Sequence, residues 1–465
     1  MAVASPLSDA PLQDGSGKLT VGTKVAYGIG DIGAAIATQV TGFFLLAFLL
    51  DVALLRPRDA AIIFLLSNAW DAVTDPVVGN LSDRTRTKWG RRRPWLLFGA
   101  VPFGLAFLSQ WIVPPFEGFW LFLYFLLASM AMKTMFTVVN VPYTSMTPEI
   151  ARGYDERTSL TSYRFAFSLF GGLASVIIYP TVVGAFDSPQ TGNLIAAMIL
   201  AAFIALSAFI TFTFTRERPA EKHDSEKSIG FFEGLKIAFQ NGPFMYVVGI
   251  YLFVWLTVQF VQTNLQLYVR YWLNAEEQLT TFLLILQLTA IVSLFGWSWV
   301  AAQIGKKKAY YIGVAIFLPV VIALFFVPPG NNVLVYIVCL FAGICVAMAL
   351  LLPWSMLPDV IEYDELQTGQ RREGVFYGLF VFVQKIGLSL ALGISSLTLE
   401  TAGYITPAEA GGFVEQPDSV LLILRVIVSL FPMVLLLLSI PLAIRYPITR
   451  QKFDELKAEL AAREA

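Results

Sequence analysis

The sequence predicts an all-α membrane protein with twelve transmembrane helices in two six-helix halves. Of its 465 residues, 57% are hydrophobic and only 14% are charged, and the mean hydropathy is +0.68. Apolar stretches of roughly 20 residues, which is the length of helix that crosses a hydrocarbon core of about 30 Å, recur along the whole chain. One charged segment separates six of these stretches from six more.

The predicted spans follow one another through short loops. Spans one to six are Val25–Leu50, Ala60–Leu81, Pro94–Val113, Phe119–Ser145, Leu160–Val183 and Leu194–Phe214. Spans seven to twelve are Phe244–Val269, Leu279–Ala302, Tyr310–Val327, Val333–Trp354, Gly374–Leu399 and Val420–Ile444. The charged segment, Thr215–Ile229, has no apolar face and is typical of a linker. We therefore expect an N-terminal tail (1–24), a first bundle (25–214), a linker (215–243), a second bundle (244–444) and a C-terminal tail (445–465).

Basic residues are concentrated in alternate short loops, which predicts the orientation, because Lys and Arg are retained on the cytoplasmic side. These loops follow spans two, eight and ten, and their basic residues are Arg84, Arg86, Lys88, Arg91, Arg92, Arg93, Lys306, Lys307, Lys308, Arg371 and Arg372. Both termini are thus predicted to lie in the cytoplasm. Two six-span halves joined by a linker are also typical of major facilitator carriers, in which the halves rock about a central site.

The residue counts argue against several functional classes. Cys339 and Cys345 lie in one apolar run, so neither a disulfide framework nor a CxxC metal site is predicted. The sole histidine, His223, lies in the charged segment, which argues against a Ser/His/Asp triad or a histidine-ligated metal. The net charge of −1 gives no basic nucleic-acid footprint. We expect no enzymatic activity, no catalytic residue, no cofactor and no nucleic-acid partner.

The loop after span two combines a glycine with a basic cluster. It reads GNLSDRTRTKWGRRR, and a weaker copy, AAQIGKKKAYYIG, follows span eight, which indicates a duplicated unit. Asp83, Arg84, Arg91 and Arg92 can pair with helix ends and with one another to hold a cytoplasmic gate. The alternative is that the arginines only obey the positive-inside rule and contact anionic lipid. Asp31 in span one is either a further gate residue or a helix-solvating polar group.

Two carboxylates lie at the middle of span two, in the sequence WDAVTDP. Asp71 and Asp75 are at i and i+4, on one helical face. Because like charges repel strongly in a low-dielectric region, the pair needs a cation, a basic partner or a proton. Carboxylate oxygens suit an alkali ion, and Thr74 can add a hydroxyl or carbonyl oxygen. The alternative is a fixed structural ion pair.

Span four presents Lys133, Thr137 and Asn140 on one face, at i, i+4 and i+7. The depth of these residues makes them candidate neighbours of the aspartates. We hypothesise that Lys133 bridges Asp71 or Asp75 and weakens sodium binding, which would favour proton coupling or a low sodium affinity. In the alternative, Lys133 turns away and snorkels to a headgroup.

Further cations lie inside predicted spans: Arg164 in span five, Lys385 in span eleven and Arg425 in span twelve. Lys385 sits at mid-span, which favours a functional role over snorkelling. We predict that the substrate contacts Asn140, Tyr143, Arg164 and Lys385.

Several motifs resemble the glycoside-pentoside-hexuronide:cation symporter family. They are YGIGD, WDAVTDP, DRTRTKWGRRRPW, NVPYTSMTPEI, LLPWSMLPDVIEYDE and VFYGLFVFVQKIG, and the resemblance runs roughly from Lys24 to Ile444. It implies a major facilitator fold and a sodium site at Asp71, Asp75 and Thr137, the positions that match the melibiose carrier of that family. It also matches that carrier's span-eleven lysine and span-five arginine with Lys385 and Arg164.

The sequence also departs from the melibiose carrier. Where the melibiose carrier has two carboxylates that hold the sugar, this sequence has Ala35 and Asn140. Where that carrier has tryptophans that stack on the sugar, this sequence has Thr144 and Leu350. The span-eleven block is similar to the sodium-dependent lysophosphatidylcholine symporter, a relative with the same fold. The resemblance therefore implies a monomeric symporter, driven by Na⁺ or H⁺, of a sugar, glycoside or related solute, with a lysophospholipid as the alternative substrate.

Overall fold

The computed structural model describes residues 19–151, 154–217, 236, 239–368, 373–406, 415–452 and 455. Most of the predicted linker, with His223, lies outside the described residues, as do Arg371 and Arg372 and most of both predicted tails. The predicted domain bounds therefore stay a prediction.

The described chain is built from long helices that form two compact units. One unit is Met1–Asp224 with Thr406–Ala408, and the other is Ser225–Ile405 with Glu409–Ala465. In the first unit, spans one to six are Val21–Ala47, Pro57–Arg84, Arg93–Ser109, Gly118–Ser145, Tyr154–Val183 and Pro189–Phe214. In the second, spans seven to eleven are Gly242–Leu267, Leu279–Ile304, Lys306–Phe326, Asn332–Thr368 and Glu373–Thr401, and span twelve is Asp418–Val428 with Leu430–Arg445.

Eleven helices among the described residues are long and apolar enough to cross a membrane. Span three, Arg93–Ser109, is apolar but has only 17 residues. At 1.5 Å per residue it extends about 25 Å, slightly less than the hydrocarbon core of about 30 Å. The all-helical fold class is confirmed, and the number twelve stays a prediction.

Two predicted spans differ from the observed helices. Span ten continues to Thr368 instead of ending at Trp354, with Pro353 and Pro358 inside the helix. The predicted end was wrong because the drop in hydropathy after Trp354 was taken as the end of the helix. The two prolines do not end it either, because neighbouring helices can satisfy the backbone groups that a proline leaves unbonded. Span twelve is interrupted at Ser429, whose backbone (φ −128°, ψ −79°) is not helical.

Spans one and seven end in the same way. Each is followed by a π-helical turn, Phe48–Val52 or Tyr268–Trp272, and then by a residue with positive φ, Leu54 (62°) or Asn274 (51°). The two turns make equivalent hydrogen bonds, from Ala53 N to Phe48 O (2.9 Å) and from Leu273 N to Tyr268 O (3.1 Å). The two turns thus have the same backbone conformation in both halves, although the residues at equivalent positions differ.

Span one packs closely against the rest of the first unit because glycines line it. A Cβ on Gly30 would lie 2.5 Å from the Tyr143 ring and 2.6 Å from the Thr211 hydroxyl. This close approach brings Asp31, the next residue, into the interior of the first unit, where it is buried.

Candidate functional site

The span-two carboxylates converge on one hydroxyl of span four. The Thr137 Oγ1 lies 3.1 Å from the Asp71 Oδ1 and 2.9 Å from the Asp75 Oδ1. Asp71 and Thr137 are buried, at 1% and 0% exposure, and Asp75 is half-buried. The i, i+4 spacing on a continuous helix places both carboxylates on the face that packs against span four.

The Thr137 hydroxyl cannot donate a hydrogen bond to both carboxylates at once. A threonine hydroxyl carries a single proton, so it donates to one carboxylate at a time. The three oxygens together form a hard-donor cluster, of the type that binds alkali and alkaline-earth ions. The Thr74 hydroxyl, which the sequence offered as a further ligand, donates to the Asp71 carbonyl at 3.1 Å. Among the described residues, no group of three or more His, Cys, Asp or Glu is arranged to hold a metal ion.

Spans two and four run in the same direction along this contact. The Trp70 Nε1 donates to the Thr134 Oγ1 at 2.8 Å. Thr137, three residues further along span four, contacts Asp71 and Asp75, which lie one and five residues beyond Trp70 on span two. Lys133 is half-buried and lies one turn before Thr137 on the same helix. Its bridging role stays a prediction.

A second polar pair lies inside the first unit, between spans one and five. The Arg164 Nε is 3.6 Å from the Asp31 Oδ2, and both side chains are largely buried, at 22% and 10% exposure. Such a pair is maintained because either charge alone would be costly to bury. Asp31, predicted to act at the gate, is thus the ion-pair partner of a predicted substrate residue.

The other predicted substrate residues lie in different surroundings. Tyr143 is buried, stacks on Tyr27 with ring centroids 4.8 Å apart and donates its hydroxyl to the Tyr27 carbonyl at 2.7 Å. Tyr143 is thus packed inside the first unit, and its contact with the substrate stays a prediction. Asn140 is half-buried on span four, and Lys385 is half-buried on span eleven, in the second unit.

The basic loop after span two is cross-linked by carboxylates. The Arg92 Nη2 contacts the Asp83 Oδ1 at 2.9 Å, and its Nη1 lies 3.3 Å from the Glu149 Oε1. Arg91 also pairs with Glu149. Burial lowers the pKa of the Arg91 guanidinium, but the Glu149 hydrogen bond and the carboxylates around it raise this pKa more. Arg84, the last residue of the span-two helix, is exposed.

A glutamate just after the end of span six caps the start of span three. The Glu217 Oε2 accepts the backbone N–H of Arg91 at 2.5 Å, and its Oε1 accepts those of Arg92 at 2.7 Å and Arg93 at 2.5 Å. Gly90, at φ +110°, makes room for it, since a Cβ there would lie 2.6 Å from the Glu217 Oε2. The carboxylate therefore fixes the end of the loop and the start of span three to the segment that follows span six.

The model of the MFS/sugar transport protein family matches residues 26–450. The chain belongs to this family. The sodium-dependent lysophosphatidylcholine symporter 1-A of Danio rerio is 34% identical, over 96% of this chain and 89% of that protein. An uncharacterized symporter of Synechocystis sp. is 37% identical, over 96% and 98%.

A solved structure of a bacterial homolog to the human lysosomal transporter Spinster has the same fold, with a TM-score of 0.67 at 13% identity, over 92% of this chain and 95% of that one. With eleven long apolar helices in the described part of the chain and relatives that are transporters, this family member is a multi-pass integral membrane symporter of the major facilitator superfamily. The predicted family resemblance and fold class are confirmed.

Sequence reasoning missed two acidic residues of this family member. Glu149 follows span four in the TPEI sequence, and Glu217 lies in RERP after span six. An isolated glutamate in a charged stretch gives no indication of a partner more than fifty residues away. The one available signal was the excess of positive charge in the loop, which calls for carboxylates nearby.

Proposed function

We propose that this protein is a sodium-coupled symporter of a lysophospholipid. The observation that carries the ion site is the convergence of the Asp71 and Asp75 carboxylates on the Thr137 hydroxyl. A cation bound among these oxygens offsets the repulsion between two carboxylates in a low-dielectric region, so ion binding and the charge state of span two are coupled.

Sodium is favoured over the proton as the coupling ion. The site offers three oxygens of the hard type that alkali ions prefer. The sodium-dependent relative from Danio rerio supports the same ion. Proton coupling is the alternative that an ion-replacement experiment would reveal.

A lysophospholipid is favoured as the substrate for three reasons. The relative from Danio rerio transports a lysophosphatidylcholine by name. Ala35, Asn140 and Thr144 stand where the melibiose carrier has sugar-binding groups, and the Thr144 hydroxyl donates to the Asn140 carbonyl of its own helix at 2.9 Å. The guanidinium of Arg164 is suited to a phosphate headgroup, because it offers several donors and a permanent charge.

A sugar or glycoside is the second candidate. The description of the matched family, MFS/sugar transport protein, favours it. In this reading the Asn140 amide and the Arg164 guanidinium hydrogen-bond to hydroxyl groups of the sugar.

The proposed topology has both termini in the cytoplasm. The basic loops after spans two, eight and ten support it through the positive-inside rule. We further propose that the protein works as a monomer by alternating access of its two six-helix halves, without covalent chemistry.

The test is uptake by proteoliposomes of purified protein. We expect labelled lysophosphatidylcholine to accumulate with an inward sodium gradient and not with a choline gradient of equal strength, and labelled melibiose to show no uptake. Asp71→Asn and Asp75→Asn, reconstituted at the same protein density as the wild type, should show no sodium-driven accumulation. The label that remains with these variants measures passive partition of the lipid into the bilayer. Sodium-driven sugar uptake without lysolipid uptake would establish the second candidate instead.

A further inference from the structure

Lys133 places a positive charge beside the proposed ion site. It lies four residues before Thr137 in the continuous helix Gly118–Ser145, so the two residues share a face. Thr137 contacts Asp71 and Asp75 from that face. Lys133 is half-buried, within the part of the helix that packs along span two.

The contacts between the two helices fix the level of this lysine. The Trp70 side chain bonds Thr134, and the Asp71 carboxylate bonds Thr137, so positions on the two helices advance together. Measured along the helix axes, Lys133 is therefore nearly level with Trp70 and within about one helical turn (5.4 Å) of Asp71. A flexible four-carbon stem can cover this axial offset, so the ammonium can extend toward a carboxylate of the pair.

The charges at the site decide what this lysine does. Two ionised carboxylates alone carry a charge of −2, whereas the pair together with an ammonium carries −1. With the ammonium present, a sodium ion that enters the site is attracted by half as much net negative charge. It also competes with the three N–H donors of the ammonium for the carboxylate oxygens. The ammonium therefore neutralises part of the carboxylate charge that a bound cation neutralises in its absence.

We propose that Lys133 is an internal counter-cation of the Asp71–Asp75 pair that competes with sodium and sets a low sodium affinity. This inference rests on the proposed sodium site and specifies how its affinity is controlled. It assigns to span four a residue that tunes the ion requirement of transport without itself holding the ion.

The test is direct measurement of sodium binding to purified protein in nanodiscs, by calorimetry and by sodium-dependent thermal stabilisation, with choline chloride at equal ionic strength as the reference. Lys133→Met removes the charge and keeps the apolar stem. We expect it to bind sodium at least tenfold more tightly than the wild type. Lys133→Arg, which keeps the charge, should stay weak. Lys452→Met removes an exposed lysine near the C-terminus (54% exposed) and should leave sodium affinity unchanged.

The outcomes separate this inference from the sodium site itself. If the wild type binds sodium, Asp71→Asn abolishes the binding and Lys133→Met changes nothing, the counter-cation is refuted and the site stands. If neither the wild type nor Lys133→Met binds sodium, both ideas are overturned. Should Lys133→Met not yield folded protein, Lys133→Gln purified in high sodium replaces it. The same tenfold tightening is then expected, and unchanged affinity again refutes the proposal.

Discussion

Replacing Glu217 by alanine tests whether the cap at the start of span three holds the basic loop that follows span two. The carboxylate accepts three backbone N–H groups, from Arg91, Arg92 and Arg93. A hydrogen bond to a charged acceptor contributes about 1.5–3 kcal/mol. Because Glu217 is half-buried and water can replace it at an open helix end, we expect a total loss of about 2–4 kcal/mol. For a unit of roughly 200 residues this lowers the melting temperature by roughly 5–15 °C.

The assay is thermal unfolding of the purified protein, followed by intrinsic fluorescence. Glu217→Gln retains one acceptor oxygen and should lose about half as much stability as Glu217→Ala. The matched control is Glu276→Ala in the second unit, where an exposed glutamate pairs with Arg270 at 3.4 Å and should contribute at most about 1 kcal/mol. A Glu217→Ala melting temperature within the range of this control would refute the capping argument.

Three further predictions address the interior of the first unit. Thr137→Val removes the hydroxyl shared by the two carboxylates and should abolish sodium-dependent stabilisation, whereas Thr137→Ser should retain it; equal sodium responses in a thermal-shift series would contradict the site. Asp31→Asn leaves the largely buried Arg164 without its charge partner and should cost about 3–5 kcal/mol in denaturant unfolding, part of which Arg164→Gln restores in the double variant; additive losses would count against the pair. Gly30→Ala forces a Cβ against the Tyr143 ring and should cost about 1–3 kcal/mol in thermal unfolding, and a neutral effect would mean that span one can shift to accept it.

The convergence of Asp71, Asp75 and Thr137 was predictable because it depends on local geometry. The helical period puts residues four apart on one face, and the need of two carboxylates for a partner points to the polar face of span four. The spans themselves followed from hydropathy, except that span ten continued through two prolines and span twelve is interrupted at Ser429.

The remaining contacts could not be predicted, because they join residues far apart in the chain. Asp31 meets Arg164 only once the glycines of span one let it approach its neighbours closely. The partners of Glu217 are backbone amides, which no side-chain pattern reveals. Positive charge in the loop indicated that carboxylates were needed, but not which ones supply them.

The turns after spans one and seven repeat one backbone conformation with different residues. Leu54 adopts a left-handed backbone that costs a leucine about 1–2 kcal/mol, while its counterpart Asn274 adopts it more readily. Aligning the two spans on these turns puts Asp31 in register with Tyr251, whose ring stacks on Phe380 with centroids 4.0 Å apart. At this matched position the first helix therefore contributes a charge pair and the second an aromatic stack, so two similar backbones serve different interactions.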